Sequence, residues 1–277
     1  MDRYAVIGHP VAHSLSPDIH AAFAAATSQS IRYEKLPAPR DGFSLVAERF
    51  FAEGGAGLNV TVPFKEEAAR WVNALDPAAR EAGAVNTIAR RAGRFQGYNT
   101  DGAGLVRDLV DNCGETIRGA RILLIGAGGA ARGVAGPLLD QRPRHLVIAN
   151  RTEPRAIALA EGLRQLRRGA LVEAAALSAV AQRFDLVISA TSAGLDGAGV
   201  PELPPESVVG ACCYDLVYAA SGASDTAFCR WAEACGARRV VDGLGMLVEQ
   251  AALAFELWRG VFPATGPVLE LLRARGV

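Results

Sequence analysis

The sequence predicts an α/β protein composed of two α/β domains. Short apolar runs typical of strands alternate with Ala- and Leu-rich helical stretches along almost the whole chain. Such alternation indicates βαβ units, in which parallel sheets carry helices on both faces. A glycine-rich turn joins a strand to a helix near the middle of the chain, and 277 residues are enough for two hydrophobic cores.

The predicted strands are apolar runs of four or five residues, bounded by turn residues. They are Tyr4–Ile7, Tyr33–Leu36, Gly57–Val60, Arg121–Ile125, His145–Ala149, Asp185–Ser189 and Ala211–Tyr214. The predicted helices between and after them are Pro17–Ala26, Ala130–Leu139, Arg155–Leu166, Ala223–Ala234, Leu244–Trp258 and Val268–Arg275.

We place the domain boundary near Asp101–Gly102, where a turn opens a helix. The doubly wound second domain then spans residues 102–240. The closing helices have no strand of their own, so we expect them to return to the first domain, which comprises residues 1–101 and 241–277.

Composition excludes several classes of function. Lys+Arg and Asp+Glu total 29 each, and a chain with no excess of either sign does not attract nucleic acid or an anionic membrane. We see no secretory leader and no apolar run of about 20 residues, and therefore expect a cytoplasmic protein. The five cysteines lack CxxC spacing and the four histidines are scattered, so we expect buried free thiols and no metal.

Two lysines stand out in a chain whose other 27 basic residues are arginines. A lysine can lose its proton within the working pH range, whereas arginine stays charged. The preference of this chain for arginine therefore indicates that Lys35 and Lys65 are positions where arginine cannot replace lysine. Lys35 has no other polar motif around it, and we interpret it as a surface residue.

The glycine-rich turn lies between the strand Arg121–Ile125 and a helix. It consists of Gly126, Ala127, Gly128, Gly129 and Ala130. Glycine permits the tight turn and the close approach of a pyrophosphate, and the helix N-terminus offers free N–H groups to it. The segment therefore predicts a Rossmann-type dinucleotide site; the alternative is a tight turn that binds nothing.

The tip of the next strand favours NADP over NAD. Proteins that bind NAD usually place a carboxylate there to hold the ribose 2′-hydroxyl. This strand ends instead in Asn150, Arg151 and Thr152, with Arg155 following. Arg151 can clamp a 2′-phosphate with the others as further donors, and the alternative is a solvated loop arginine.

Polar motifs mark the first domain and the last helical segment. Ser14 and Ser16 precede a helix and suit a carboxylate ligand, although Ser16 is also a plausible helix cap. Residues 59–65 lead from a strand end into a helix, where α/β proteins gather ligands. Asp101 taken alone is explained better by capping the next helix than by a catalytic role. The remaining motifs are Gly83–Thr87, Asn99–Gly102 and Asp242–Gln250.

Together these segments resemble the shikimate dehydrogenase family over essentially the entire chain. The matching segments, in order, are SLSP, NVTVPFK, AVNT, NTDG, GAGGAARG, NRT and DGLGMLVEQ. The resemblance implies an NADP-dependent oxidoreductase that reversibly reduces 3-dehydroshikimate to shikimate in chorismate and aromatic amino-acid biosynthesis.

The resemblance also implies roles for single residues. Lys65 and Asp101 match the catalytic pair. The residues that match substrate contacts are Ser14, Ser16, Thr61, Asn86, Asp101, Tyr218 and Gln250. Cofactor contacts match Gly126 to Ala130 and Asn150 to Arg155, and Leu216, Gly243 and Met246 are expected near the nicotinamide.

For this chemistry Lys65 is a suitable proton donor to the developing alkoxide, and Asp101 would orient it. Three alternatives stay open: a quinate/shikimate dehydrogenase that also accepts NAD, a non-catalytic ligand-sensing homologue, and a reductase of another small carbonyl compound. Asn150-Arg151 opposes the first, the retained Lys65 and Asp101 oppose the second, and the first-domain motifs oppose the third. The sequence is also compatible with a homodimer.

Overall fold

The computed structural model describes residues 1–191, 202–218 and 226–276. Its two sheets, packed with helices, confirm the predicted α/β class. The chain divides into two compact units: the first unit is Met1–Leu105 with Leu247–Glu270, and the second is Val106–Met246 with Leu271–Val277. These limits differ from the predicted domain bounds at residues 102–105, 241–246 and 271–277. The assignment of substrate and nucleotide roles to two domains stays a prediction.

Helices alternate with strands through much of the described chain, although not between the strands Thr87–Arg91 and Arg94–Tyr98 or between Val172–Ala176 and Leu186–Ser189. The helices are α1 (Ser16–Ala26), α2 (Phe43–Ala52), α3 (Lys65–Trp71), α4 (Pro77–Ala82), α5 (Asp101–Arg107), α6 (Gly129–Asp140), α7 (Glu153–Leu166), α8 (Ala227–Ala234), α9 (Leu244–Arg259) and α10 (Gly266–Ala274). A π-helical turn, Asp108–Asn112, follows α5.

The sheet of the first unit is mixed. Its strands are β1 (Asp2–Gly8), β2 (Ile31–Pro37), β3 (Gly55–Val60), β4 (Ala74–Leu75), β5 (Thr87–Arg91) and β6 (Arg94–Tyr98), in the order β2-β1-β3-β5-β6-β4. β1 runs parallel to β2 and β3, whereas β5 is antiparallel to β3 and β6. The pattern predicted parallel strands and missed the β5–β6 hairpin. Ala92 and Gly93 turn that hairpin with φ of 48° and 77°.

The sheet of the second unit is fully parallel. Its strands are β7 (Arg121–Ile125), β8 (His145–Asn150), β9 (Val172–Ala176), β10 (Leu186–Ser189), β11 (Cys212–Asp215) and β12 (Arg239–Val241), in the order β12-β11-β10-β7-β8-β9. The chain winds outwards in both directions from the adjacent strands β7 and β10, and ligands of doubly wound sheets bind at the carboxyl ends of the strands at such a switch point. The doubly wound prediction is confirmed.

One predicted helix begins later than expected. The pattern started it at Ala223, but α8 begins at Ala227, because Thr226 has extended backbone angles and its side chain accepts a hydrogen bond from the Cys229 N–H. A threonine in this position is a helix cap. Residues 223–225 lie outside the described residues.

Candidate active site

A lysine–carboxylate pair lies in the first unit, where two helices begin. Lys65 is the first residue of α3, shortly after β3, and Asp101 is the first residue of α5. Lys65 Nζ lies 2.7 Å from Asp101 Oδ2. The side chains are 24% and 9% exposed. The Lys65 ammonium group therefore contacts a buried carboxylate, while its side chain stays partly exposed and accessible to a ligand.

Asn86 fixes the other side of the carboxylate. Its Nδ2 donates to Asp101 Oδ1 at 2.8 Å and lies 2.9 Å from Thr100 Oγ1. Its Oδ1 accepts the Thr100 N–H at 2.9 Å. Each oxygen of Asp101 thus has its own donor, and the carboxylate cannot rotate without losing a charge-assisted hydrogen bond. The alternative that Asp101 only caps α5 does not explain this arrangement.

Gln250 joins this group from α9. Its Oε1 lies 3.3 Å from Asn86 Nδ2, and its Nε2 donates to the Leu247 carbonyl oxygen at 2.8 Å. A Cβ at Gly104 would lie 2.8 Å from the Gln250 backbone nitrogen. Only glycine therefore lets α5 pass so close to α9 and lets Gln250 reach Asn86.

A buried layer beneath these residues was not predicted. Asn59 Nδ2 donates to Thr87 Oγ1 at 3.0 Å and to the Asn86 carbonyl oxygen at 3.2 Å, and Asn59 Oδ1 accepts the Tyr33 hydroxyl at 2.7 Å. The layer holds the backbone of Asn86. The signal in the sequence was a polar residue inside the apolar run Leu58–Val60.

The predicted carboxylate-binding serines contact each other. The Ser14 hydroxyl donates to Ser16 Oγ at 3.1 Å and accepts the Ser16 N–H at 3.3 Å. Ser16 is the first residue of α1, and the N-cap residue is Leu15, without a side-chain cap. Ser16 is therefore not a helix cap.

Thr61 follows β3, and its N–H donates to the Ile7 carbonyl oxygen at 2.9 Å. Among the described contacts, no direct hydrogen bond joins the serines to Lys65.

His20 of α1 is fully buried against aromatic rings. It is 0% exposed, and its ring stacks on Tyr33 with centroids 4.2 Å apart. Burial lowers the pKa of His20 from 6.5 to about 3, and the Asn59 side chain opposes the shift. The histidine therefore stays neutral at neutral pH.

We expect this histidine to destabilise the protein in acid. Below pH 6.5 His20 becomes protonated in the unfolded chain, whereas in the folded protein it stays neutral down to about pH 3. The free energy of unfolding therefore falls as the pH drops through that range, by about 1.4 kcal/mol per pH unit. Urea unfolding from pH 7 to 4 should show a shallower pH dependence for His20→Phe than for wild type. The exposed His13→Phe is the control, and parallel profiles for wild type and His20→Phe would contradict the prediction.

In the second unit, the glycine-rich turn fits a dinucleotide. Gly126 has a φ of +113°, and a Cβ there would lie 2.9 Å from the Ala190 carbonyl oxygen after the neighbouring strand β10. A Cβ on Gly128 would meet nothing within 4 Å. α6 begins at Gly129 without a side-chain cap. Open space thus faces a helix N-terminus at the switch point of the sheet, as pyrophosphate binding requires.

The loop after β8 presents the predicted arginines. Arg151 and Arg155 are exposed. Asn150 Nδ2 donates to the Thr152 carbonyl oxygen at 2.9 Å, which closes the turn before α7. No carboxylate ends β8. The loop therefore offers cationic donors to a phosphate, while β8 ends in an amide side chain where a carboxylate would hold a ribose hydroxyl.

The predicted nicotinamide contacts also lie in the second unit. Leu216 follows β11, and Gly243 and Met246 flank the start of α9. Tyr218, the predicted substrate contact, lies two residues after Leu216. The Gly243 N–H donates to the Val217 carbonyl oxygen at 3.0 Å, so these two segments are adjacent. Burial raises the pKa of Tyr218, whose phenol therefore stays protonated.

Metal sites, membrane-spanning helices and disulfides are absent from the described part of the chain. No group of three His, Cys, Asp or Glu residues there could hold a metal ion. None of its helices is long and apolar enough to cross a bilayer. The five cysteines are free, but the expectation that all are buried is wrong for Cys113 and Cys235, which are partly exposed.

Fold and site together define a class: a two-sheet α/β protein with a glycine-rich turn between strand and helix in one unit and a lysine–carboxylate pair in the other. Residues 6–88 match the shikimate dehydrogenase substrate-binding domain, residues 108–195 the shikimate/quinate 5-dehydrogenase family, and residues 243–273 the shikimate 5′-dehydrogenase C-terminal domain.

Curated relatives and solved structures agree with these matches. The chain is 52% identical over 273 residues to a shikimate dehydrogenase (NADP(+)) of Alkalilimnicola ehrlichii, covering 98% of both chains. It is 53% identical over 275 residues to the enzyme of that name from Halorhodospira halophila, again covering 98% of both. The shikimate 5-dehydrogenase of Thermus thermophilus, solved with NADP(H) and shikimate, has a TM-score of 0.87 and 36% identity, covering 99% of this chain and 100% of that one. The chain belongs to the shikimate dehydrogenase family.

Proposed function

We propose that the protein is an NADP-dependent shikimate dehydrogenase that interconverts 3-dehydroshikimate and shikimate. The observation that carries the proposal is the direct Lys65–Asp101 contact, with Asn86 bonded to Asp101 and Gln250 bonded to Asn86. Relatives about half identical over nearly their full length bear the name of this enzyme.

The proposed chemistry needs a hydride and a proton. Bound NADPH supplies the hydride to the ring ketone. The Lys65 ammonium group stabilises the developing alkoxide and donates the proton to its oxygen. Asp101 orients Lys65 through one carboxylate oxygen while Asn86 fixes the other. In the reverse direction the Lys65 amine accepts the proton from the shikimate hydroxyl.

The substrate ring has groups to contact around this pair. We infer that Thr61, Asn86, Asp101 and Gln250 hold its hydroxyls, with Tyr218 as a further contact. Ser14 and Ser16, whose hydroxyls are adjacent, then bind its carboxylate. A carboxylate that accepts two hydroxyl donors is fixed in direction, which orients the ring.

The cofactor contacts divide between two loops of the second unit. We propose that the turn Gly126–Ala130 holds the pyrophosphate and that Arg151, with Asn150, Thr152 and Arg155, holds the 2′-phosphate. Leu216, Gly243 and Met246 then contact the nicotinamide.

A cofactor absorbance assay at 340 nm tests the proposal. Shikimate and quinate are each offered with NADP and with NAD. We expect shikimate with NADP to give the highest kcat/KM, by at least about tenfold. A preference for quinate or for NAD would favour the broader quinate/shikimate dehydrogenase. No turnover with any pair, together with retained shikimate binding, would favour the ligand-sensing homologue.

Location and assembly are part of the same proposal. A biosynthetic enzyme with five free cysteines suits a reducing compartment, and we propose the cytoplasm. A homodimer stays a prediction, which sedimentation velocity checks.

A further inference from the structure

A buried carboxylate and a buried phenol face each other in the second unit and take no part in the chemistry above. Tyr214 on β11 is 0% exposed and Asp108 is 1% exposed. The Tyr214 hydroxyl donates to Asp108 Oδ2 at 2.6 Å, and Asn112 Nδ2 donates to Oδ1 at 2.9 Å. Burial and the adjacent carboxylate raise the pKa of Tyr214, so its phenol keeps the proton that it donates.

The phenol oxygen also reaches the start of α9. It accepts the Met246 N–H at 3.2 Å, while Asp242 Oδ1 accepts the Leu244 N–H at 3.3 Å. The first N–H groups of a helix have no partner within the helix. Tyr214 therefore caps α9 from the side, and Asp108 brings negative charge to the positive end of the helix dipole.

Two glycines make this arrangement possible. A Cβ on Gly245 would lie 2.0 Å from Asp108 Oδ1, and a Cβ on Gly243 would lie 2.3 Å from the Leu216 carbonyl oxygen. The segment Gly243–Met246 is thus packed between the buried carboxylate and the backbone after β11. Its position depends on both neighbours.

We propose that Tyr214 and Asp108 are positioning residues for the nicotinamide half of the cofactor, acting through the backbone of Gly243–Met246. The inference rests on the proposed function, which assigns Gly243 and Met246 to the nicotinamide. Both side chains are buried, so they contact no ligand themselves. They fix the surface against which the nicotinamide packs.

Ligand binding to the apoprotein tests this role in Tyr214→Phe, which loses only the hydroxyl. Isothermal titration compares NADP with 2′,5′-ADP, which carries the 2′-phosphate but no nicotinamide. We expect the Kd for NADP to rise about tenfold and that for 2′,5′-ADP to change by less than about twofold. Without ligand, the Met246 amide should also exchange its hydrogen faster in Tyr214→Phe than in wild type, because it loses its hydrogen bond to the Tyr214 hydroxyl.

The matched control is Ser207→Ala in the same unit. Ser207 is also buried, and its hydroxyl donates to the Pro204 carbonyl oxygen at 2.6 Å. Its loss should leave both Kd values unchanged. If Tyr214→Phe does not fold, Asp108→Asn is the second variant, because it keeps the side-chain volume. It should raise the Kd for NADP and leave the Kd for 2′,5′-ADP unchanged.

The outcomes separate this inference from the proposed function. Equal weakening of both ligands, or no change in either, overturns the positioning role. Wild-type protein that binds neither NADP nor 2′,5′-ADP overturns the proposed function first. Wild-type protein that turns over shikimate with NADP, alongside a Tyr214→Phe variant with unchanged NADP affinity, overturns only the positioning role.

Discussion

Replacing Lys65 by methionine is expected to lower kcat for shikimate oxidation by about a thousandfold. Methionine keeps a similar chain length but has no ammonium group, so it removes both the proton transfer and the stabilisation of the alkoxide. Asp101 keeps its hydrogen bond from Asn86, so the fold should survive with a modest loss of thermal stability. Steady-state kinetics and a thermal melt on the same sample measure the two effects.

Lys65→Arg separates proton transfer from charge. Arginine restores a cation beside Asp101 but stays protonated at the working pH. If Lys65 transfers the proton, this variant should also lose most of its turnover while melting close to wild type. Near-normal turnover would show that charge alone suffices and would remove the proton-transfer role.

The chain supplies a matched control for these variants, since Lys35 is its other lysine. Lys35 is exposed and donates to the Ala12 carbonyl oxygen. Lys35→Met should keep kcat within about twofold of wild type. A loss in Lys35→Met as large as that in Lys65→Met would mean that the assay reports general damage.

The second unit was predictable from sequence because its central strands are buried on both faces. The apolar runs of β7, β8, β10 and β11 stand out against the helices between them. Each of the missed strands contains at least one exposed residue; they are β4, β5, β6, β9 and β12. β12 is a three-residue edge strand with exposed Arg239, and β5 and β6 meet at exposed Arg91 and Arg94, so neither alternation nor an apolar run marks them.

The residues of the candidate active site were predicted from their motifs, but the contacts that hold them were not. Asn86 and Gln250 lie 164 positions apart in sequence and meet only through the packing of α9. The roles of Gly104 and Asn59 depend on what lies next to them in space. Local patterns carry no such information, since a buried polar residue has meaning only with its partners.

Arg151→Ala is expected to raise the KM for NADP about thirtyfold while changing the KM for NAD by less than about threefold. A charge-assisted hydrogen bond to a phosphate contributes about 1.5–3 kcal/mol. NAD has no 2′-phosphate, so its complex does not contain this hydrogen bond and does not lose it. Arg151 is exposed in the loop that Asn150 shapes, so its removal should leave the melting temperature unchanged.

The control for this variant is Arg164→Ala, an exposed arginine further along α7. It lowers the net charge of the protein equally and should change neither KM. Arg155→Ala should give a smaller rise in the KM for NADP, because Arg155 is the secondary donor in this assignment. High salt should narrow the difference between wild type and Arg151→Ala, since it screens an exposed ion pair. Equal effects of Arg151→Ala on NADP and NAD would show that Arg151 contacts a part common to both cofactors and does not select between them.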